Sequence, residues 1–167
     1  DGVHGHQQLS LFNAHHDARC FLPIHIYDTA TGRPVAVILR PGKTPSGREV
    51  AGHLRRLIRR LRTHWPTTAI TIRGDSHYGR PEVMAFCEAQ DVRYVFGLAG
   101  NDVLNGLVDA AADDIRTSRA LENKDALRGY TETRYAAKSW KDRQRRVCAR
   151  IEATRKGLDT RFVVTNL

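Results

Sequence analysis

The residues best placed to do chemistry lie in one short stretch, Ala69–Gly79, which reads AITIRGDSHYG. Its apolar run ends in an Arg-Gly pair and delivers a carboxylate, Asp75, with His77 and Tyr78 close behind. This pattern predicts a short buried strand that ends in a turn. A carboxylate at the carboxyl end of such a strand lies at the mouth of an open α/β sheet, where ligands commonly bind. Asp75 is therefore a candidate ligand for a divalent cation, and His77 and Tyr78 are candidate substrate contacts.

A single carboxylate does not hold Mg²⁺ firmly, so a metal site here needs at least one more acid. Asp1, Asp17 and Asp28 are the upstream candidates. Asp28 ends a strand but falls at a predicted hairpin tip, which is a poor position for a shared site. The alternative for Asp75 is an ordinary turn residue, because Asp is common in turns. Spacing alone leaves both interpretations of Asp75 open.

The elements that must position Asp75 can be predicted from the spacing of apolar residues. Residues 20–28 alternate in the manner of a strand, and residues 34–39 form a second, more apolar run after a Thr-Gly turn. This predicts an antiparallel hairpin whose second strand is the more buried. A capping box, Ser46 with Glu49, then opens a helix over residues 48–62 that Trp65-Pro66 ends.

Downstream of Asp75 the pattern alternates between helix and strand. A helix is predicted from Pro81 to about Gln90, a strand over residues 92–98 and a helix from residue 101 to about 111, while residues 113–128 are ambiguous. From about Tyr130 the chain is rich in strand patterns. This order predicts a mixed sheet flanked by helices. It resembles the layout of a ribonuclease-H-like fold whose first strand is truncated, or shifted into the weak run Gln8–Asn13.

The charge balance points to a polyanionic partner. The 167 residues carry 27 Lys and Arg against 18 Asp and Glu, a formal net charge of +9. Nucleic acid is the simplest partner for such a chain, and a basic surface kept for solubility is the alternative. Clustering favours nucleic acid, because the polar face of helix 48–62 carries six arginines and one acid, Glu49. The six are Arg48, Arg55, Arg56, Arg59, Arg60 and Arg62.

Two further basic segments are weaker candidates for phosphate contact. The segment Arg40–Thr44 reads RPGKT, but a P-loop needs another glycine where this chain has Val37, so a nucleotide-triphosphate site is rejected. Arg40 and Lys43 stay candidates for contact with a phosphate backbone near the capped helix start. The run Lys138–Arg150 surrounds Trp140 with basic residues, which is typical of nucleic-acid surfaces but equally of a charged strand edge.

Other classes of protein are disfavoured by the sequence. The three cysteines are far apart and form no CxxC pair, so neither a zinc site nor a disulfide is expected. A reducing cytoplasm is the expected location. Four histidines, His4, His6, His15 and His16, lack further ligands at metal spacing, so a metal cluster is disfavoured. No apolar run is long enough to cross a bilayer. Because the chain begins at Asp1 without an initiator Met, it is expected to be a fragment.

Several blocks of the chain resemble DDE-type insertion-sequence transposases. They are VHGHQQLSLFNAHHDARCFLPIHIYD, TGRPVAVILRPGKTPSG, ITIRGDSHYGRPEVMAFCE and RFVVTNL. The similarity runs over essentially the whole chain, and the block around Asp75 is its most specific part. The resemblance implies a ribonuclease-H-like catalytic core that cuts and joins DNA with two divalent metals, Mg²⁺ or Mn²⁺, held by two Asp and a Glu. It also implies DNA ends and target DNA as partners, and a homodimer in the synaptic complex.

The same resemblance assigns roles by position. Asp75 matches the second Asp of the triad, and Asp1 stands near the place of the first, which otherwise lies upstream. The Glu would follow Leu167. Residues 1–128 would then be a partial core and residues 129–167 a β-rich insertion, and the fragment alone is expected to be inactive. Lys43, Arg55, Arg56, Arg59, Arg62, His77 and Tyr78 are the expected DNA contacts. A DNA-binding remnant without catalysis and a metal-dependent nuclease of the same fold are the alternatives.

Overall fold

A computed structural model describes Val3 and residues 10–141 and 143–167 of the chain. The chain divides into two compact units, residues 1–45 and residues 46–167. Asp1, which the sequence proposes as a metal ligand, lies outside the described residues, as do His4 and His6.

In the first unit, the described residues form two small antiparallel hairpins. Strand β1 (Leu11–Asn13) pairs with β2 (Ala18–Cys20), and β3 (Ile24–Tyr27) pairs with β4 (Pro34–Ile38). The hairpin predicted around Thr31-Gly32 is confirmed. The continuous strand predicted over residues 20–28 is wrong, because it divides into β2 and β3 around Pro23, which has no N–H to donate to a ladder.

Strand β4 is less buried than its apolar composition predicts. Val35, Val37 and the following Leu39 are 43%, 59% and 66% exposed. Successive side chains of a strand point to opposite faces, and β4 has apolar residues on both faces. When only one face is packed, the apolar side chains of the other face stay exposed. The prediction that the second strand is the more buried one is therefore wrong.

The second unit is built on one five-stranded mixed sheet in the order β5-β6-β9-β8-β7. Strand β5 (Thr71–Gly74) runs parallel to β6 (Arg93–Leu98), and the other neighbours are antiparallel. The remaining strands are β7 (Ala126–Tyr135), β8 (Arg145–Thr154) and β9 (Gly157–Thr165). The predicted mixed sheet and the strand-rich tail are confirmed. The predicted division at residue 128 falls inside β7 and stays a prediction.

Three α-helices accompany this sheet in the described part of the second unit: α1 (Gly47–His64), α2 (Pro81–Ala89) and α3 (Asp102–Leu121). The Ser46 side chain accepts a hydrogen bond from the Glu49 amide at 3.2 Å, which confirms the cap of α1. Asn101 caps α3 in the same way. Helix α3 runs about three turns further than predicted, and its inner side packs on the sheet, with Ile115 directly against Gly129.

The core lies between the helices and one face of the sheet. Val83, Met84 and Cys87 of α2 are fully buried, as are Tyr94 and Phe96 of β6. Helix α1 packs on α2, α2 on β6, and α3 on β7, β8 and β9. Each fully buried large side chain contributes about 1.5–3 kcal/mol relative to exposure. The framework that carries the end of β5 is therefore held by packing from several elements.

Candidate functional site

Asp75 lies where the sequence predicts it, directly after the last residue of β5. Because β5 and β6 are parallel neighbours, their carboxyl ends share one edge of the sheet. The chain leaves β6 at this edge and enters the capped N-terminus of α3. The side chain of Asp75 is 66% exposed. This is the edge at which open α/β sheets commonly bind ligands.

The Asp75 carboxylate is shaped by a tight turn. Its Oδ1 accepts a hydrogen bond from the His77 amide at 2.8 Å and lies 3.4 Å from Nδ1 of the His77 ring. The Tyr78 amide donates to the Asp75 carbonyl at 3.1 Å, which closes the turn. Oδ2 accepts no hydrogen bond from any residue that the structure describes. One carboxylate oxygen is therefore oriented by the backbone and the other is available to a ligand.

Two glycines allow the turn to lie directly on the neighbouring strand. A Cβ at Gly97, in β6, would lie 2.9 Å from the Ser76 nitrogen and 3.2 Å from the Asp75 carbonyl carbon. A Cβ at Gly79 would lie 2.9 Å from the Gly97 carbonyl oxygen. Neither position is among the site residues predicted from the sequence. The available signal is an isolated glycine inside the strand pattern YVFGL, which marks close approach of another backbone.

The other residues of the turn have distinct surroundings. His77 is well exposed, with 58% of its side chain accessible, and so can contact a substrate. Tyr78 is half-buried and packs against the core, with its Cβ 3.1 Å from the position of a Cβ on Gly74. Arg80 donates from Nε to the His77 carbonyl at 3.2 Å. Tyr78 and Arg80 thus fix the turn from two sides.

Asp75 places a carboxylate at this edge, but the described residues form no complete metal site. No group of three His, Cys, Asp or Glu side chains suitable for a metal exists among them. Asp28 accepts hydrogen bonds from the Thr31 hydroxyl at 2.6 Å and the Ala30 amide at 3.1 Å, and these lower its pKa. Asp17 lies in the β1–β2 turn with φ 46°. Both therefore serve turns in the first unit. Asp75 keeps one carboxylate oxygen that could serve as a single ligand of a divalent cation.

The arginines of α1 form the most basic surface of the second unit. We call it the arginine face; it comprises Arg48, Arg55, Arg56, Arg59, Arg60 and Arg62. Among the described residues, no carboxylate pairs with any of the six. Arg55 lies over the Phe86 ring, 5.7 Å from its centroid. Arg62 is half-buried and donates to the carbonyls of Pro66 and Thr68.

The arginine face extends away from the edge that carries Asp75. At its start, a Cβ on Gly47 would lie 2.9 Å from Arg80 Cβ, and Arg80 is the N-cap of α2. At its end, Arg62 contacts the segment that leads into β5. Helix α1 is about 27 Å long at 1.5 Å per residue. Helix α1 therefore extends from the neighbourhood of the α2 N-terminus to the segment that precedes β5.

Two other segments proposed for phosphate contact differ from each other. Lys43 is exposed. Arg40 is only 6% exposed, and its Nη1 donates to the carbonyls of Leu22 and Lys43, so it stabilises the loop. Gly42 packs on Cys20, where a Cβ would lie 2.6 Å from the Cys20 oxygen. This is close packing, consistent with the rejection of a P-loop.

Two arginines of the basic run around Trp140 share one acid, Glu88. Arg145 makes two hydrogen bonds to Glu88, at 2.8 and 3.1 Å, and Arg143 makes one at 2.9 Å. Burial alone would raise the pKa of Glu88. Hydrogen bonds from Arg145 and Tyr94, together with the nearby positive charges, outweigh this effect, so the pKa of Glu88 is lowered overall. Trp140 is 6% exposed, so its ring is not available to stack on a base.

All three cysteines are free thiols, and burial raises the pKa of Cys87 to about 12. His15 and His16 lie in the β1–β2 turn with ring centroids 5.0 Å apart and belong to no metal-binding group there. Among the described residues, no helix is both long and apolar enough to cross a membrane.

Comparison with known proteins identifies the family. The family described as transposase DDE domain group 1 matches residues 1–167. The chain therefore belongs to this family of DDE transposase domains, and the resemblance seen in the sequence is confirmed. A search of curated proteins found no match.

Proposed function

We propose that this chain is part of the catalytic core of a DNA transposase that cleaves phosphodiesters at transposon ends and joins them to target DNA. The observation that carries the proposal is the position of Asp75, at the shared carboxyl edge of two parallel strands with one free carboxylate oxygen. Family membership supports the reaction class. The mixed sheet flanked by helices supports a ribonuclease-H-like core.

In this proposal Asp75 is one ligand of the catalytic divalent metal, Mg²⁺ or Mn²⁺. Such a metal supplies activation of the attacking oxygen and charge stabilisation at the phosphate. The chain's own part is to hold one carboxylate oxygen in place through the His77 amide and to leave the other free. The first and third acids of the triad come from outside the described residues, with Asp1 proposed for the first position. A site that lacks any of its three acids holds the metal weakly, so catalysis is proposed to need the complete set.

The DNA backbone is proposed to run from the Asp75 edge along the arginine face. Arg55, Arg56 and Arg59 are exposed and make no ion pair with a described carboxylate, so their charges are available to phosphates. Arg62 would contribute more weakly, since it is half-buried and bonded to carbonyls. His77 would contact DNA beside the reacting phosphate. Lys43 is proposed as a contact from the first unit, and Tyr78 as an anchor of the turn beside the DNA.

The proposed substrate also indicates where in the cell the protein acts. Acting on DNA places the protein in the cytoplasm, at the nucleoid, which agrees with three free thiols. Assembly as a homodimer in a synaptic complex stays a prediction.

The test is strand cleavage by the complete gene product carrying Asp75→Asn. This change keeps the side-chain shape and removes the charge that a metal needs. We expect loss of cleavage and strand transfer in Mg²⁺, with DNA affinity unchanged. Asp91→Asn is the matched control, because Asp91 has φ 49°, which Asn tolerates, and precedes β6 at the opposite edge of the sheet. Normal cleavage by Asp75→Asn would remove Asp75 from the active site.

A DNA-binding protein without catalysis is the second candidate. It is favoured by the single carboxylate found at the site together with the unpaired arginine face. It predicts salt-sensitive DNA binding and no cleavage by the complete gene product in either Mg²⁺ or Mn²⁺. The third candidate, a nuclease of the same fold, predicts cleavage without strand transfer. One assay that follows both products separates all three.

A further inference from the structure

A second basic site lies at the opposite end of β6 from Asp75. It is a cavity of about 230 Å³ between the end of α2, the starts of β6 and β8 and the end of β7. Its wall contains four arginines, Arg134, Arg143, Arg145 and Arg146, and one acid, Glu88. The wall therefore carries excess positive charge even after Glu88 is counted. We call it the arginine pocket.

The acids near the arginine pocket leave one arginine without a partner. Glu88 binds Arg143 and Arg145. Arg146 is held from outside the pocket by Glu132 and donates to the Leu167 carbonyl at 2.6 Å. Arg134 makes no ion pair or hydrogen bond with any described residue, although it is exposed at the rim. Arg134 is the group most available to a ligand.

The positions of the arginines favour an anion. Arg134 lies directly opposite Arg146 in the β7–β8 register, and like charges at facing positions destabilise a sheet. An anion between them would relieve this repulsion. Arg145 is 6% exposed, and its Nη1 has no hydrogen-bond partner among the described atoms. The pocket thus holds cationic charge that is incompletely satisfied.

The walls of the arginine pocket are fixed before any ligand arrives. The Asn166 side chain accepts from the Tyr94 amide at 2.8 Å and donates to the Val92 carbonyl at 3.1 Å. The Arg145 guanidinium lies 6.0 Å from the centroid of the Trp140 ring. Guanidinium groups held in this way recognise phosphate through paired N–H donors. A rigid, polar, cationic pocket suits a phosphate group better than an apolar ligand.

We propose that the arginine pocket binds one phosphate group of the DNA backbone, separately from the arginine face of α1. The proposal rests on the proposed function, because it takes its ligand to be the DNA on which the chain acts. Arg134 and Arg143 are the expected phosphate contacts, with Arg145 as fixed positive charge behind them. DNA is favoured over a small anion because the arginines at the rim are exposed and the chain carries a net charge of +9.

The test measures how DNA affinity depends on salt. Removing one phosphate-binding arginine lowers the slope of log affinity against log salt by about 0.9. We expect Arg134→Gln to lower the slope by about this amount, and Arg134→Gln with Arg143→Gln by up to twice as much, in fluorescence anisotropy with duplex DNA. The matched control is Arg116→Gln with Arg155→Gln. These exposed arginines pair with Asp113 and Asp125 and do not line the pocket, so their removal should leave the slope unchanged.

Each outcome separates the pocket from the proposed function. If the unsubstituted chain binds DNA and Arg134→Gln leaves the salt slope unchanged, phosphate binding by the arginine pocket is contradicted and the proposed transposase function is not. Absence of DNA binding by the unsubstituted chain would overturn both. Thermal unfolding with inorganic phosphate against chloride is the second arm. Stabilisation by phosphate that Arg134→Gln removes, without a change in slope, would identify a free-anion site and overturn the DNA assignment. Because the Arg134 side chain is exposed and makes no ion pair or hydrogen bond with a described residue, this variant should fold normally.

Discussion

The arginines of α1 and those of the three-stranded segment β7–β9 are similar in number but opposite in their surroundings. On α1, no described carboxylate pairs with any of the six. On the sheet, Arg128 pairs with Glu152 at 3.1 Å, and Arg150 and Arg161 both reach Asp159, at 2.9 and 3.0 Å. The density of basic residues in a sequence therefore does not measure the free positive charge on a surface.

The cause of this difference is the geometry of the two elements. On a helix, side chains three and four residues apart are neighbours, so the arginines of a basic run have other arginines beside them. On a sheet, neighbours come from facing strands. Arg128 lies opposite Glu152, which is far away in the sequence. The helix thus offers its charge to a ligand, whereas most of the sheet charge is already used, Arg134 being the exception.

The largest effect is expected from replacing Glu88, the acid that pairs with the buried Arg145 of the sheet. Glu88→Gln removes the charge that faces Arg145, whose side chain is only 7% exposed. Leaving a buried charge without its partner should lower the free energy of unfolding by about 3 kcal/mol. Urea denaturation followed by circular dichroism measures this. An unchanged denaturation midpoint would show that Arg145 does not depend on Glu88.

The difference between helix and sheet is tested by removing equal charge from both surfaces. Arg55, Arg56 and Arg59 changed together to Gln should lower the salt slope of DNA binding by about 2.7, or about 0.9 for each phosphate contact. The matched triple, Arg128, Arg150 and Arg161 to Gln, removes arginines that already bind acids in the folded chain. Its slope should stay close to that of the unsubstituted chain. Equal slopes for the two triples would contradict the difference.

A smaller effect is expected from pH. The pKa of Glu88 is lowered in the folded chain from its ordinary 4.5, so folding favours the ionised carboxylate. Its contribution to stability is complete above about pH 4.5 and is lost as pH falls through the lowered folded-state pKa. Urea titrations across this acidic range should show a loss that Glu88→Gln lacks. An identical pH dependence in both proteins would contradict the assignment.

The smallest effect is expected for the exposed pairs of the sheet. Glu132→Gln removes the partner of Arg146 on the solvent side, where water screens the interaction. We expect no measurable change in the urea midpoint, in contrast with Glu88→Gln. A large loss of stability here would mean that the sheet depends on its surface pairs as much as on the buried one.

The sequence predicts features that local chemistry decides. The Ser46 cap of α1 and the strand that ends before Asp75 both follow from residues within a few positions of one another. Features that depend on distant partners were missed. The buried position of Trp140 and the pairing of Glu88 with Arg145 require contacts across many residues. For the same reason, the acids that would complete the Asp75 site could not be found from spacing.

The close approach of the Asp75 turn to Gly97 also sets the mutational tolerance of the site. The turn and the strand meet backbone to backbone, so a single methyl group at residue 97 would act as a wedge under Asp75. Ser76, by contrast, is exposed and has room for many side chains. A saturation library over this segment should therefore accept diversity at residue 76 and reject it at residue 97. A position with no chemistry of its own would then be among the least replaceable.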